Sequence, residues 1–170
     1  TGEKSSFIDD VRLVVSAPAT FANGGFETPV LSGGGAAYVY NPTGSSWSFA
    51  SNSGIQRNGS DWGAANAPEG SQTAFLQGNN GWGSMSQVIS AVGGTYKIQF
   101  QAAQRSYGGL PIQLKVDGVN VGSPITPSST SFATYTSPEF TVISGDHEIY
   151  LVATDSTGDK TSFVDDVRLL

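Results

Sequence analysis

The beginning of the chain recurs at its end, and this constrains the fold more than any other feature. Thr1-Gly-Glu-Lys-Ser-Ser-Phe-Ile-Asp-Asp-Val-Arg-Leu13 returns as Thr157-Gly-Asp-Lys-Thr-Ser-Phe-Val-Asp-Asp-Val-Arg-Leu169, ten identities in thirteen at a spacing of 156 residues. The three exchanges are Glu for Asp, Ser for Thr and Ile for Val. Within each copy the residues alternate. Phe163, Asp165, Val167 and Leu169 fall on one face and Val164, Asp166 and Arg168 on the other, which is strand periodicity with a carboxylate among the core-facing positions. A buried carboxylate needs a cation or several donors, so Asp165 is expected to have them. A folded domain has one place for a given strand, yet this chain carries two candidates.

Nothing between the copies repeats, so the chain reads as one unit plus the tail of a preceding one. Residues 1–15 are the extra strand, 16–22 a linker, and 23–170 the domain proper. Two readings of the extra strand stand side by side. In one it packs on a neighbouring chain through Phe7, Asp9, Val11 and Leu13, by edge addition or exchange. In the other it is a remnant lying on the surface. Thr1 in place of Met reads as a mature or excised segment.

The domain is all-β. The chain's 170 residues include 22 glycines, 13% are charged and 11% aromatic, and no window carries an apolar stripe at helical spacing. Strand patterns separated by turn signals fall at 46–50, 73–77, 84–90, 95–104, 111–116, 131–136, 139–142 and 148–154, an order that suits an antiparallel jelly-roll β-sandwich. In the clearest of them Tyr96, Ile98, Phe100 and Ala102 point inward and Lys97, Gln99 and Gln101 outward. Ile112, Leu114 and Val116 then point inward and Gln113 outward, which predicts one Gln-rich outer sheet face. Asp117-Gly118 followed by Val-Asn-Val reads as a hairpin turn. Residues 28–71 read as long loops, where ligands commonly bind.

A net charge of −6 with scattered Lys and Arg argues against nucleic acid, and no 18-residue apolar run predicts membrane insertion. The lack of cysteine leaves the compartment open. The single histidine, His147, follows a turn and reads as a surface residue. Asp61 and Glu69 could be nominated as a glycosidase pair, but no spacing supports them, and the chain reads as non-enzymatic. Asn58-Gly-Ser60 is a glycosylation sequon without other support.

Asn23-Gly-Gly-Phe-Glu27, Ala67-Pro-Glu-Gly-Ser-Gln72, Gly94-Thr-Tyr-Lys-Ile-Gln-Phe-Gln-Ala-Ala103 and Phe163-Val-Asp-Asp-Val167 stand in this order. Together they resemble galactose-binding-like jelly-roll domains, and more narrowly the carbohydrate-binding modules of secreted polysaccharide-degrading enzymes and plant cell-wall proteins of similar fold. The resemblance covers about residues 20–170. It implies a structural Ca²⁺ where the first and last strands meet, held by Glu27, Glu69 with the carbonyl of Gln72, and Asp165, aided by the carbonyl of Gly25. Asp9 would be the equivalent ligand in the extra strand. The alternative is that these acids cap turns or bind backbone amides.

A sugar site needs flat rings and planar polar groups. Tyr38, Tyr40, Trp47, Trp62, Trp82 and Tyr107 supply candidate rings, with Gln99, Gln101, Gln104, Arg105 and Gln113 beside them. Trp62 and Trp82 sit in Gly-rich polar loops and are the leading ligand candidates, although packing explains them equally. Trp47 reads as core, and outward Gln is also an ordinary solvated face. The function expected is a non-catalytic, Ca²⁺-stabilised glycan-binding module of a secreted or surface, bacterial, multidomain protein. The competing reading is a structural subunit of an extracellular fibre or adhesin, joined to identical units through residues 1–15.

Overall fold

A computed structural model describes the chain except for residues 1, 3, 5, 7, 8, 10–18, 33–36 and 80. Among the described residues there is no helix. The described residues form thirteen strands: β1 (Tyr38–Tyr40), β2 (Ser48–Ala50), β3 (Ser53–Arg57), β4 (Gln72–Gly78), β5 (Ser84–Ala91), β6 (Gly94–Tyr96), β7 (Ile98–Gln104), β8 (Ile112–Val116), β9 (Val119–Ile125), β10 (Ala133–Thr136), β11 (Phe140–Val142), β12 (Gly145–Ala153) and β13 (Lys160–Leu169). A six-stranded sheet runs β1-β3-β4-β13-β7-β10, a five-stranded sheet runs β2-β5-β12-β8-β9, and β11 pairs with β6. Every pairing is antiparallel. This is the expected jelly-roll sandwich.

The core lies between the two large sheets. Leu76, Phe100, Val164, Leu114 and Leu151 meet there at 1% exposure or less. Trp47 is buried as expected, stacked on Phe21 at 5.3 Å and donating from Nε1 to Asn23 O at 3.0 Å. Glycine admits two close approaches: at Gly54 an added Cβ would lie 2.0 Å from Val39 O, and at Gly24 one would lie 2.4 Å from Val167 O. The second lets Val167 N donate to Gly24 O at 3.0 Å, which docks the start of the domain on the end of β13.

Four expectations change. First, β13 does not alternate evenly. Its register on β7 shifts between Asp165 and Arg168, with Asp166 at φ 50°, so Val164 and Val167 both face the main core. Phe163 and Asp165 instead share the outer face, as a β-bulge requires when it inserts one residue into the period. Second, 95–104 is two strands. Lys97 turns aside to exchange two 2.9 Å backbone bonds with Leu170, leaving Tyr96 half-buried on β6. Third, β7 and β8 belong to different sheets, so Gln113 cannot share a face with Gln99 and Gln101. The chain crosses between them at Leu110, which is buried and bonded through both N and O to Ser162 Oγ. Fourth, residues 28–71 hold not only β2, within the expected 46–50, but also β1 and β3, which short length and Gly-Ser composition conceal.

Of the extra strand, Phe7, Val11 and Leu13 lie outside the described residues, as do linker residues 16–18, and Asp9 is exposed.

His147 is buried rather than superficial. Its Nδ1 meets Asp117 Oδ2 at 2.6 Å and its Nε2 meets Ile143 O at 2.9 Å. Both partners only accept, so the ring is held with both nitrogens protonated. The Asp117 bond, then the Ile143 carbonyl, raise its pKa above 6.5, against an opposing effect of burial; nearby Asp146 adds to the rise. A raised folded pKa stabilises the fold below the unfolded value and ceases to do so as pH rises through the folded value. Urea titrations should therefore show stability falling above pH 6.5. Asp117→Asn should flatten that slope; an unchanged slope would show that the His147 clasp contributes nothing.

Candidate functional site

The outer face of the six-stranded sheet is covered where β13 crosses it. Phe75 on β4 stands directly opposite Phe163 on β13, and Trp62, from the turn after β3, lies on Phe75 with ring centroids 4.6 Å apart and planes 27° from parallel. Its edge meets Phe163 at 6.4 Å. These three rings form a second apolar cluster outside the main core.

Arg105, at the end of β7, closes the other side of the indole. Its Cζ is 4.7 Å from the Trp62 centroid and 5.1 Å from that of Tyr107, a cation held between two aromatic groups. A polar chain then runs outward. Arg105 Nη1 donates to Asp159 Oδ2 at 3.1 Å, Gln77 Nε2 donates to Asp159 Oδ1 at 2.7 Å, and Tyr40 Oη donates to Gln77 Oε1 at 2.6 Å. These partners fix the amide orientation of Gln77. Burial, then Tyr38 and Asp159, raise the Tyr40 pKa, so its hydroxyl remains a donor at neutral pH. Tyr38, Tyr40, Asp61, Trp62, Gln77 and Arg105 enclose a recess of about 210 Å³.

Trp62 thus fits the packing reading: it is 7% exposed, with one face on Phe75 and the other under Arg105. Its buried Nε1 has no hydrogen-bond partner among the described residues, an unmet donor of the kind that calls for an explanation. Tyr107 is 72% exposed beside Arg105, and Trp82 is 59% exposed on the β4–β5 turn, bridged to Gly78 and outside the recess. Gln99 and Gln101 lie farther along β7; Gln99 donates to Thr136 Oγ1 at 3.2 Å and Gln101 stands opposite Asp165. Gln113 is buried in β8 and donates to Leu114 O at 2.8 Å. Sequence reasoning missed Gln77 and Asp159. The only signal was Asp159's place in the duplicated segment, repeated as Glu3.

The proposed metal ligands also meet on the outer face, around Asp165. Asp165 Oδ2 accepts from Glu69 N at 2.9 Å and Oδ1 from Asp166 N at 2.7 Å. Glu27 Oε1 accepts from Ser71 N at 2.8 Å and Gln72 N at 2.7 Å. Gln72 Nε2 binds Phe26 O and Pro29 O, and its Oε1 accepts from Leu31 N. A Cβ on Gly25 would lie 1.7 Å from Glu69 Oε2, and one on Gly70 would lie 2.3 Å from Glu27 Cδ, so each turn seats the other's carboxylate against a glycine. Asn23, Phe26 and Asp166 adopt positive φ here, backbone strain that only a tightly determined junction sustains. Glu27 and Asp165 therefore do what the amide-binding alternative describes, and among the described residues no three acidic or histidine side chains converge on one point. Asp165 nevertheless remains electrostatically exposed to its own kind. Burial foremost, with Glu69 and Asp166 adding charge against the two amide donors, pushes its pKa up to about 7.

A larger recess of about 470 Å³ opens between β9 and β11, walled by Val119, Val121, Phe140 and Ile143, with His147 and Asp117 at one end.

No protein-family model and no curated protein matches the chain. Solved structures do. The Stig cyclase Fisc from Fischerella sp. TAU, in complex with (3Z)-3-(1-methyl-2-pyrrolidinylidene)-3H-indole, aligns with TM-score 0.66 at 19% identity over 91% of this chain and 97% of that one. TmCBM61 in complex with β-1,4-galactotriose aligns with TM-score 0.60 at 19% identity over 88% and 96%. A family 35 carbohydrate-binding module from Clostridium thermocellum aligns with TM-score 0.54 at 17% identity over 73% and 91%. The chain has the jelly-roll fold of these modules, as its sequence resemblance implied, and the cyclase shows the same architecture in an enzyme.

Trp62→Ala removes a ring packed on both faces and should cost about 3–5 kcal/mol in chemical denaturation. Trp82→Ala should stay within about 0.5 kcal/mol. Equal losses would contradict the packing described.

Proposed function

We propose that the protein is a non-catalytic carbohydrate-binding module, stabilised by Ca²⁺, of a secreted or surface multidomain protein, and that its sugar site is the recess beside Trp62. The observation that carries this reading is the fixed arc from Tyr40 through Gln77 and Asp159 to Arg105, set beside exposed Tyr107. Each member of the arc is held by its neighbour, so donors and acceptors are in place before a ligand arrives, which lowers the cost of binding. With both faces of Trp62 covered, the ring free to stack on a sugar is Tyr107. The recess, about 210 Å³, falls below the range of about 300–1,000 Å³ common for drug-sized ligands and suits one sugar ring at a time. The fold shared with TmCBM61 and the family 35 module supports the same class of ligand.

Calorimetry against a panel of plant, algal and bacterial polysaccharides should find a ligand whose affinity falls at least about tenfold, roughly 1.4 kcal/mol, in Tyr107→Ala. Loss of affinity in Gln99→Ala with Tyr107→Ala unaffected would move the site along β7, and no binding to any member of the panel would end the reading.

Ca²⁺ would be held at the junction of the two turns by Asp165 and Glu69, the latter's carboxylate resting against Gly25. The donor set is hard oxygen, as this ion requires. Burial foremost raises the Asp165 pKa, and the charges that add to the rise are carboxylates, which a cation would offset. Because binding requires the ionised carboxylate, millimolar Ca²⁺ should raise the melting temperature more at pH 8 than at pH 5, relative to chelator. Equal melting with Ca²⁺ and with chelator at pH 8 would remove the ion from the proposal.

A further inference from the structure

The place occupied by β13 is not an edge. It lies between β4 and β7, so a second strand can enter it only by replacing the first. That place is defined by a short series of demands, each visible in β13. Gly158 adopts φ 71° and Asp166 φ 50°. Ser162 Oγ must bind both Leu110 N and Leu110 O. Phe163 must fill the outer cluster, and Val164 and Val167 the main core. Asp165 must receive the amides of Glu69 and Asp166.

Residues 1–13 meet every one of these demands, although most of them lie outside the described residues. Gly2, Ser6, Phe7, Asp9, Asp10 and Val11 match them without change. The three exchanges are small: one removes a methyl group and two each add a methylene. Ser5 replaces Thr161, whose Oγ1 makes no hydrogen bond among the described residues, so no bond is lost. Ile8 replaces Val164 in the core, adding one methylene to an apolar wall. Glu3 replaces Asp159 and keeps the carboxylate that Arg105 and Gln77 bind.

We propose that residues 1–13 are a second closing strand, recognised by the β13 slot, so that this fold can be shut by the copy at either terminus. Reach does not oppose it. Val167, the residue equivalent to Val11, donates to Gly24 O at 3.0 Å. Val11 precedes Gly24 by 13 positions, and that many residues can span about 40 Å. The chain leaves from the same corner: Phe21 stacks on Trp47, and Ala22 N donates to Gln87 Oε1 at 2.7 Å. A strand tethered this closely competes at an effective concentration near millimolar. The copy left out is then a donor for the slot of another unit of the same sequence. The inference does not depend on the sugar reading.

The test is a double-mutant cycle in the full chain. Val164→Asp puts a charge in the main core and expels the C-terminal copy; Ile8→Asp spoils the N-terminal copy at the matching position. Ile8→Asp alone should move the melting temperature by less than about 2 °C, under 1 kcal/mol. Val164→Asp alone should still melt cooperatively, at a lower temperature, because the other copy takes the slot. The double variant should show no cooperative transition. A monomeric Val164→Asp chain places the copy in its own slot, and a mass that rises with concentration places it in a neighbour's; both require the recognition proposed. The proposal is overturned if Val164→Asp is already unfolded, or if it melts identically with and without Ile8→Asp.

Discussion

The pairing of β13 between β4 and β7 is the constraint on which the rest of the structure depends. Antiparallel sheets commonly bury one face and leave the other to water. Here the six-stranded sheet is covered on both faces along this strand, with Val164 and Val167 inside the sandwich and Phe163 and Asp165 outside it. A single bulge makes this possible. By inserting one residue it lets the strand place two valines three positions apart in the same core, while still sending a carboxylate outward to meet the turn at Glu69. The outer apolar cluster, the Asp159 anchor of the recess and the interlocked glycine turns all attach to this one strand. Its removal would leave each of them without a partner.

The two outward positions impose different chemistry along β13. Just before its start Asp159 faces Arg105 and Gln77, and its charge is matched. Midway along it Asp165 faces amides and other acids, and its charge is not. One strand thus links a neutralised polar arc just before its start to an acidic, strained junction at its middle. The separation follows from the strand's length and from the loops that reach it, rather than from any difference in residue type.

Much of the sandwich was legible because alternation survives wherever a strand faces one core. β4, β5 and β8 fall within one residue of the positions their patterns predict, and β12 begins three residues earlier than its pattern does. Two of the errors share a cause: each involves a long-range backbone bond that periodicity does not register. Lys97 breaks 95–104 in order to pair with Leu170, and the shift on β13 answers to β7. β1 is three residues long and exposed throughout, so its sequence carries almost no burial pattern, yet it supplies both tyrosines of the recess. Arg105 and Tyr107 were readable as chemistry, but their joining to Gln77 and Asp159 was not, because those four residues come from three separate elements. Trp62 shows the limit of arguing from loop composition. A large ring among Gly and Ser looked idle in sequence, and the surface that occupies it belongs to strands 13 and about 100 positions away.

The sheet margins complete the picture. β1 and β2 are three residues each, β10 is four and is followed at once by Ser137 and Pro138, and β9 carries Gly122 at φ 66° together with Pro124. A Cβ on Gly122 would lie 2.8 Å from the Pro138 ring, so that ring sits directly over the kinked strand. None of these four margins offers the long, flat row of free amides and carbonyls on which amyloid-like stacking begins. Among the described residues, the four margins of the two large sheets are thus closed to sideways growth by their own backbone, not by charge.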